Sequence, residues 1–290
     1  MKKLIIMFTV LVVFLSLFLL LLNNYKDKPY EENTFAIKSY YSYLIEDKIK
    51  IPLKLYSNLD SSLLLYSDKA NARLHDRSED NIVGVNIVES KITSNLYYNE
   101  EQYYEYTLSV ELSIDSLLIE ECYLTLEFPK KTYTFNVGLI DVAAKKTSYK
   151  PINITNLYGV TKGNNLSLAG YVITFNNTTN FTWNITDIMM GSSNKIILNN
   201  DNVVEVNESN DIADYNYIDV RDNNGLTVTS NSSKTYILPV KTEKNLYLFN
   251  SYLLIEINNE FYYISNFNYI NSNDISRLAN YLERGIIYEF

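Results

Sequence analysis

The sequence predicts a mainly β protein: an N-terminal transmembrane helix, then two antiparallel β-sandwich domains, and a short C-terminal helix. Three observations predict it. Leu4 to Leu22 is apolar except for Thr9 and Ser16, and it holds no charge, Pro or Gly. Beyond residue 35 apolar and polar residues alternate, which is the period of half-buried strands. In NDISRLANYLERG the period changes, with Ile275, Leu278, Ala279 and Leu282 on one helical face.

The apolar run comes first. At about 1.5 Å per residue it reaches ~28 Å, enough to cross a bilayer's hydrocarbon layer. A cleaved signal peptide needs a shorter run and a small-x-small site. Here Asn23, Asn24, Tyr25, Lys26, Asp27, Lys28 and Pro29 follow, and none is small. The only cysteine, Cys122, is far from any lipobox position. The expectation is an uncleaved signal anchor, residues 4–22. A cytoplasmic stub, 1–3, precedes it, and a polar stalk, 23–34, follows. The competing reading is a long signal peptide cut at an unusual site. Lys2 and Lys3 before the run and Lys26 and Lys28 after it give little orientation bias. The short leading tail places the C-terminal part outside the cell membrane, in a single-pass arrangement.

The first domain is expected over 35–146. KIKIPLKLYS puts Ile49, Ile51, Leu53 and Leu55 on one face, and Pro52 suggests an edge. YTLSVELSI, CYLTLEF and the stretch Thr132 to Leu139 repeat the alternation, with Tyr133, Phe135, Val137 and Leu139 expected on one side. The short link FPKKT predicts a hairpin. Leu59 to Asn81 carries charges and turn formers, and it reads as an irregular crossing loop. Six or seven strands in this stretch is about the inventory of an immunoglobulin-like sandwich.

The second domain is expected over 150–290, after the small and basic boundary AAKKTSYKP. Strands are expected at Ser167 to Phe175, Lys195 to Leu198, Tyr215 to Arg221, Leu226 to Thr229, Tyr236 to Lys241 and Tyr252 to Ile257. Asn224-Gly225 predicts a two-residue hairpin turn, and INNEFYYI a turn into another strand. The helix would start at Asn273 and stop at Gly285, and GIIYEF would form a last strand.

Composition narrows function. The 290 residues carry a net charge of -9, one His and one Cys. An intramolecular disulfide is therefore ruled out. The acidic balance argues against nucleic acid, whose phosphates need a basic surface. No phosphate-cradling glycine loop, G-x-S-x-G or H-E-x-x-H occurs. His75 reads as an exposed loop residue, and Cys122 as a small hydrophobe on an apolar strand face. Asp219, Asp222 and Asn223 could offer oxygens to calcium, but the spacing fits no known calcium loop. No cofactor is expected, and no enzyme.

Two features remain. The sequence has 27 tyrosines, with clusters SYYSY, LYYNEEQYYEY and EFYYIS. Tyrosine is an ordinary strand residue, and exposed it makes protein or glycan contacts. The candidate binding patch is Tyr97, Tyr98, Tyr103, Tyr104 and Tyr262 with the lone Trp183. FNNTTNFTWNIT is dense in N-x-S/T sequons at Asn176, Asn177, Asn180 and Asn184, a density that the Asn- and Thr-rich composition accounts for by chance. In composition and layout the chain resembles small Gram-positive surface proteins built from immunoglobulin-like domains. The expected partners are the lipid bilayer, through the N-terminal helix, and a protein of the bacterial cell envelope such as a transporter or secretion complex. The alternative is an adhesin or glycan-binding protein that uses the tyrosine patches.

Overall fold

The computed structural model describes residues 31–98, 100–152, 154–161, 168–191, 196–198, 203–206, 216–218, 225–242, 248–269 and 282–289. The apolar run 4–22 lies outside them. Among the described residues no helix is long and apolar enough to cross a membrane.

The chain is mainly β, as its alternation predicts. It opens with β1 (Thr34–Ile37), β2 (Ser39–Ile45) and β3 (Ile49–Ser57). A 3-10 helix, Leu63–Lys69, then leads to β4 (Asn71–His75). Two long hairpins follow: β5 (Ile82–Tyr98) with β6 (Glu101–Leu112), and β7 (Leu117–Phe128) with β8 (Lys131–Ala144). Next come β9 (Lys150–Pro151), β10 (Ile154–Thr161), β11 (Leu168–Asn177), β12 (Trp183–Met190), β13 (Ile196–Leu198), β14 (Val203–Val206), β15 (Asn216–Ile218) and β16 (Leu226–Val228). The last are β17 (Ser232–Thr242), β18 (Leu248–Ile257), β19 (Glu260–Tyr269), β20 (Leu282–Arg284) and β21 (Ile286–Glu289).

These strands make two sheets. The larger has 15 strands and runs β16-β12-β18-β2-β8-β7-β4-β5-β6-β3-β1-β20, with β19, β9 and β21 attached at its sides. The smaller has six and runs β10-β11-β17-β14-β15, with β13 on β17. Most pairings are antiparallel. Three are parallel, against a wholly antiparallel expectation: β2 with β8, β2 with β18, and β9 with β19. The sequence segment between β2 and β8 supplies the crossover that a parallel pair needs.

Two hydrophobic cores result. The first gathers Tyr41, Ile51, Leu53, Leu74, Tyr106, Leu124, Phe135 and their neighbours from β1 to β8. The larger sheet folds over to enclose it. β5 makes the crossing, pairing with β4 over Ile82 to Val85 and with β6 from Asn86 onward. The second core holds Tyr171, Ile173 and Phe175 of β11, Tyr236 and Leu238 of β17, and Leu253, Ile255 and Ile257 of β18. It therefore lies between the smaller sheet and the β12-β18 end of the larger one.

β2 and β8 serve both cores. On β2, Tyr40 belongs to the second core and Tyr41, Tyr43 and Ile45 to the first. On β8 the parity changes midway. Tyr133, Phe135 and Val137 face the first core, Leu139 the second, and Ile140 and Val142 the first again. The sequence placed Leu139 with Val137. Gly138 is the cause: it sits at φ 104°, opposite a register shift around Cys122 on β7. Such a bulge re-aims every following side chain. A Cβ on Gly138 would lie 2.2 Å from the Ser39 carbonyl oxygen, so only glycine lets β8 come this close to β2.

Other departures have local reasons. The irregular loop expected at Leu59 to Asn81 contains the 3-10 helix, which the Ser62 hydroxyl caps by accepting from the Leu64 N–H at 3.2 Å. It also contains β4, which lies inside the sheet between β5 and β7. Pro52 lies beyond the three β3 residues paired with β1, so β3 is locally an edge there. The strands flanking Asn224-Gly225 do not form the expected hairpin: β15 is in the smaller sheet and β16 in the larger. A two-residue hairpin turn does form at Asn258-Asn259, at φ 51° and 65°, joining β18 to β19. Most of the C-terminal helix expected over 273–285 lies outside the described residues. Its last turn is strand instead, since Leu282–Arg284 pairs with β1. The last strand, β21, forms as expected and pairs with β8.

Candidate functional site

Four of the six candidate aromatic residues meet at the closed end of the β5–β6 hairpin. Tyr98 pairs with Glu101, Tyr97 with Gln102, Leu96 with Tyr103 and Asn95 with Tyr104. Glu100 takes φ 68° in the turn. Alternation then divides the four. Tyr103 faces the first core with Leu96 and is buried, its hydroxyl donating to Glu101 at 2.8 Å. Tyr98 and Tyr104 are half-buried, and Tyr97 is 70% exposed. Phe35 of β1 holds the hairpin from below, its ring 5.1 Å from Tyr103 and 5.9 Å from Tyr98. Such edge-on contacts stabilise a pair by about 0.5–1.5 kcal/mol beyond the area buried.

The other two candidates are elsewhere. Trp183 begins β12, opposite Val228, and packs against the second core. Tyr262 on β19 donates to Glu260 at 3.0 Å, with the Lys150 ammonium over its ring at 5.9 Å. The six do not form one platform. SYYSY is interior: Tyr40, Tyr41 and Tyr43 are all buried in β2.

A second constellation is one the sequence did not single out. Asp141 of β8 has no exposed surface, and the Tyr40 hydroxyl donates to its Oδ2 at 3.1 Å. Tyr40 lies on β2, which pairs with both β8 and β18. Gly191, just past β12, closes the site at φ 65°; a Cβ there would lie 1.7 Å from the Tyr40 hydroxyl and 2.6 Å from Asp141 Oδ2. Burial, with Asp141 beside it, holds the Tyr40 phenol well above the ordinary tyrosine range. Burial and Asp141 raise Tyr252 in the same direction. Also on β18, the Asn250 amide donates to the Tyr43 hydroxyl. The signal in the sequence is one carboxylate inside the apolar run VGLIDVAA.

Neither catalytic candidate is arranged as a nucleophile and base. His75 is 5% exposed at the end of β4, not in an open loop. Its Nε2 lies 2.9 Å from Thr125 Oγ1, its Nδ1 2.7 Å from the Asp76 carbonyl oxygen, and its ring stacks on Tyr123. Cys122 is buried as expected, and desolvation pushes its thiol far up. Beyond β4, desolvation would raise the Asp76 carboxyl, but the bonds it accepts from the Asn81 amide, the Asp80 N–H and the Ser78 hydroxyl outweigh it and hold it below the usual range. Among the described residues no group of three or more His, Cys, Asp or Glu is placed to hold a metal ion. Asp219, Asp222 and Asn223 lie outside them.

Two polar side chains have structural work. Glu105 is buried on β6, accepting from Lys54 Nζ at 3.0 Å, Tyr56 at 2.8 Å and Thr93 at 2.7 Å. Burial alone would raise its carboxyl, but the Thr93 hydroxyl, Lys54 and Tyr56 outweigh it and hold the value down. Asn177 of the sequon cluster is fully buried, and its amide donates to the carbonyls of Phe181, Val228 and Thr229. That amide closes a turn, so it is no glycan acceptor in the folded chain.

No family model matches the chain, and comparison with curated proteins finds no match.

Proposed function

We propose that the chain is a membrane-anchored extracytoplasmic protein with a non-catalytic binding or accessory role at a bacterial cell envelope, contacting a transporter or secretion complex. The observation that carries this reading is the uncharged run Leu4 to Leu22 ahead of a β-rich unit that starts at Thr34. A run of that length and purity suits a bilayer span.

The binding role draws support from β5. It is 17 residues long and carries Ile82, Val88, Ile92 and Tyr97 exposed. Apolar side chains on one exposed strand are the raw material of a protein interface. A non-catalytic reading is supported by the engaged ring of His75 and the buried thiol of Cys122. The glycan-binding alternative is weakened by the separation of Trp183 and Tyr262 from the hairpin and by the burial of Tyr103.

Cross-linking in intact cells, with identification of the membrane proteins that co-purify, tests the proposal. A specific envelope partner, lost on Val88→Asp with Ile92→Asp, is the expected result. Recovery of no membrane partner overturns the accessory role.

A further inference from the structure

We propose that the closed end of the β5–β6 hairpin, with Tyr97 outermost, seats in the headgroup boundary of a phospholipid bilayer. The proposal rests on the reading of Leu4 to Leu22 as a retained membrane span.

The register places the hairpin end beside the point where the chain enters the fold. Thr34 pairs with Ser57, Ser57 with Tyr104, and Tyr104 with Asn95. Four strands therefore run abreast, with the start of β1 and the hairpin turn at the same rim. The hairpin overhangs that rim by the stretch from Tyr104 to Glu100, about 13 Å at ~3.3 Å per residue. Between the apolar run and Thr34 there are only the eleven residues Asn23 to Asn33. Fully extended they span at most ~40 Å. The opposite end of β5, at Ile82, lies about 53 Å from Tyr98 along the strand at the same rise. The chain thus enters the fold at the tyrosine rim, and Ile82 marks the far end of β5.

Chemistry at the rim fits a bilayer boundary. Tyr97 presents an exposed ring with a polar tip, backed by half-buried Tyr98 and Tyr104. Tyrosine is enriched at that depth because its ring is apolar and its hydroxyl can stay wet. Phe35 fixes the hairpin to β1 through its contacts with Tyr98 and Tyr103, so the tip is presented on a braced base. No Lys or Arg occurs between Lys91 and Lys130, while Glu100 and Glu101 flank the turn. Contact is then aromatic and not electrostatic. It suits zwitterionic phosphatidylcholine and does not depend on salt.

The test uses the full chain in phosphatidylcholine vesicles whose acyl chains carry bromine near the headgroup. Two variants, Tyr97→Trp and Ile82→Trp, each add a tryptophan at an exposed position, and the unaltered chain supplies the Trp183 background. The expected result is that bromine quenches the tryptophan at 97 at least about two-fold more than that at 82, at low and high salt alike. Equal quenching at the two positions, in a chain that floats with the vesicles, overturns the proposal and leaves the anchor intact. A chain that does not float with the vesicles removes the anchor, and the hairpin proposal falls with it. Loss of the difference at high salt also overturns it, since the contact would then be electrostatic.

Discussion

The hydroxyl of Tyr40 donates to the carboxylate of Asp141, 3.1 Å away and 101 residues along the chain. The two side chains sit on β2 and β8, the strands that line both cores. Burying a carboxylate is unfavourable unless donors surround it, so this pair ties the packing of one core to that of the other. Tyr40→Phe removes the donor and little volume. A hydrogen bond to a charged group is worth about 1.5–3 kcal/mol, and the variant should lose about that much stability by denaturant unfolding. A loss below about 0.5 kcal/mol would mean that Tyr40 is not what satisfies Asp141.

Stability should fall at alkaline pH. Burial pushes Tyr41 up to about 12. An unfolded tyrosine ionises near about 10. Between those values the unfolded chain gives up its proton and the folded chain keeps it. The folded state then binds more protons, so stability is full below about pH 10 and lost progressively as pH rises through about 12, by about 3 kcal/mol for this group. Tyr40 and Tyr252 shift the same way and add to the loss. Unfolding midpoints across this range, read alongside tyrosinate absorbance, check it. Flat midpoints would contradict it.

Glu105 should act at the other end of the scale. Its folded value is depressed, so the stability it contributes is present above the ordinary glutamate range and lost as pH falls through the folded value. Glu105→Gln keeps the shape but loses the charge that Lys54, Tyr56 and Thr93 converge on. The expected outcome is about 1–3 kcal/mol less stability at neutral pH and a shallower acid limb in the unfolding profile. An unchanged acid limb would remove Glu105 from the linkage.

Two glycines should respond in opposite senses. A Cβ at Gly138 meets the Ser39 backbone at 2.2 and 2.4 Å and sits at φ 104°. A Cβ at Gly84 meets nothing within 4 Å. Gly138→Ala should cost several kcal/mol or abolish folding, roughly at the upper end of single-substitution effects. Gly84→Ala, near the start of β5, should be neutral or stabilise by about 0.5–1 kcal/mol. Thermal melts of the pair distinguish the bulge from a general intolerance of alanine.

Much of this architecture was legible, and the gaps have physical causes. β3, β6 and β8 as far as Val137 alternate because one side of each meets the first core. The Asn258-Asn259 turn was readable because both positions tolerate positive φ. β4 was not readable. ARLHD looks like a polar loop, yet Arg73 pairs with Glu127 across the strand and His75 is absorbed by Thr125 and Tyr123. Leu139 was misplaced because a bulge is a property of two strands, and Gly138 alone does not announce it. Asn224-Gly225 suggested a hairpin, but local turn preference does not decide which sheet each flanking strand joins. Of the aromatic patch, the position of Tyr97 at an exposed strand end follows from alternation. The burial of Tyr103 follows from the same alternation once Leu96 is known to face the core. Asp141 needed the fold, since Tyr40 comes from β2 and Gly191, which closes the site, follows β12.

The most direct test of the anchor is the intact mass of the protein that stays with membranes after an alkaline carbonate wash. A mass of 33.7 kDa in the membrane fraction, with Met1 to Leu22 retained, is the predicted result. A shorter product beginning near Tyr25 and released into the wash would contradict it.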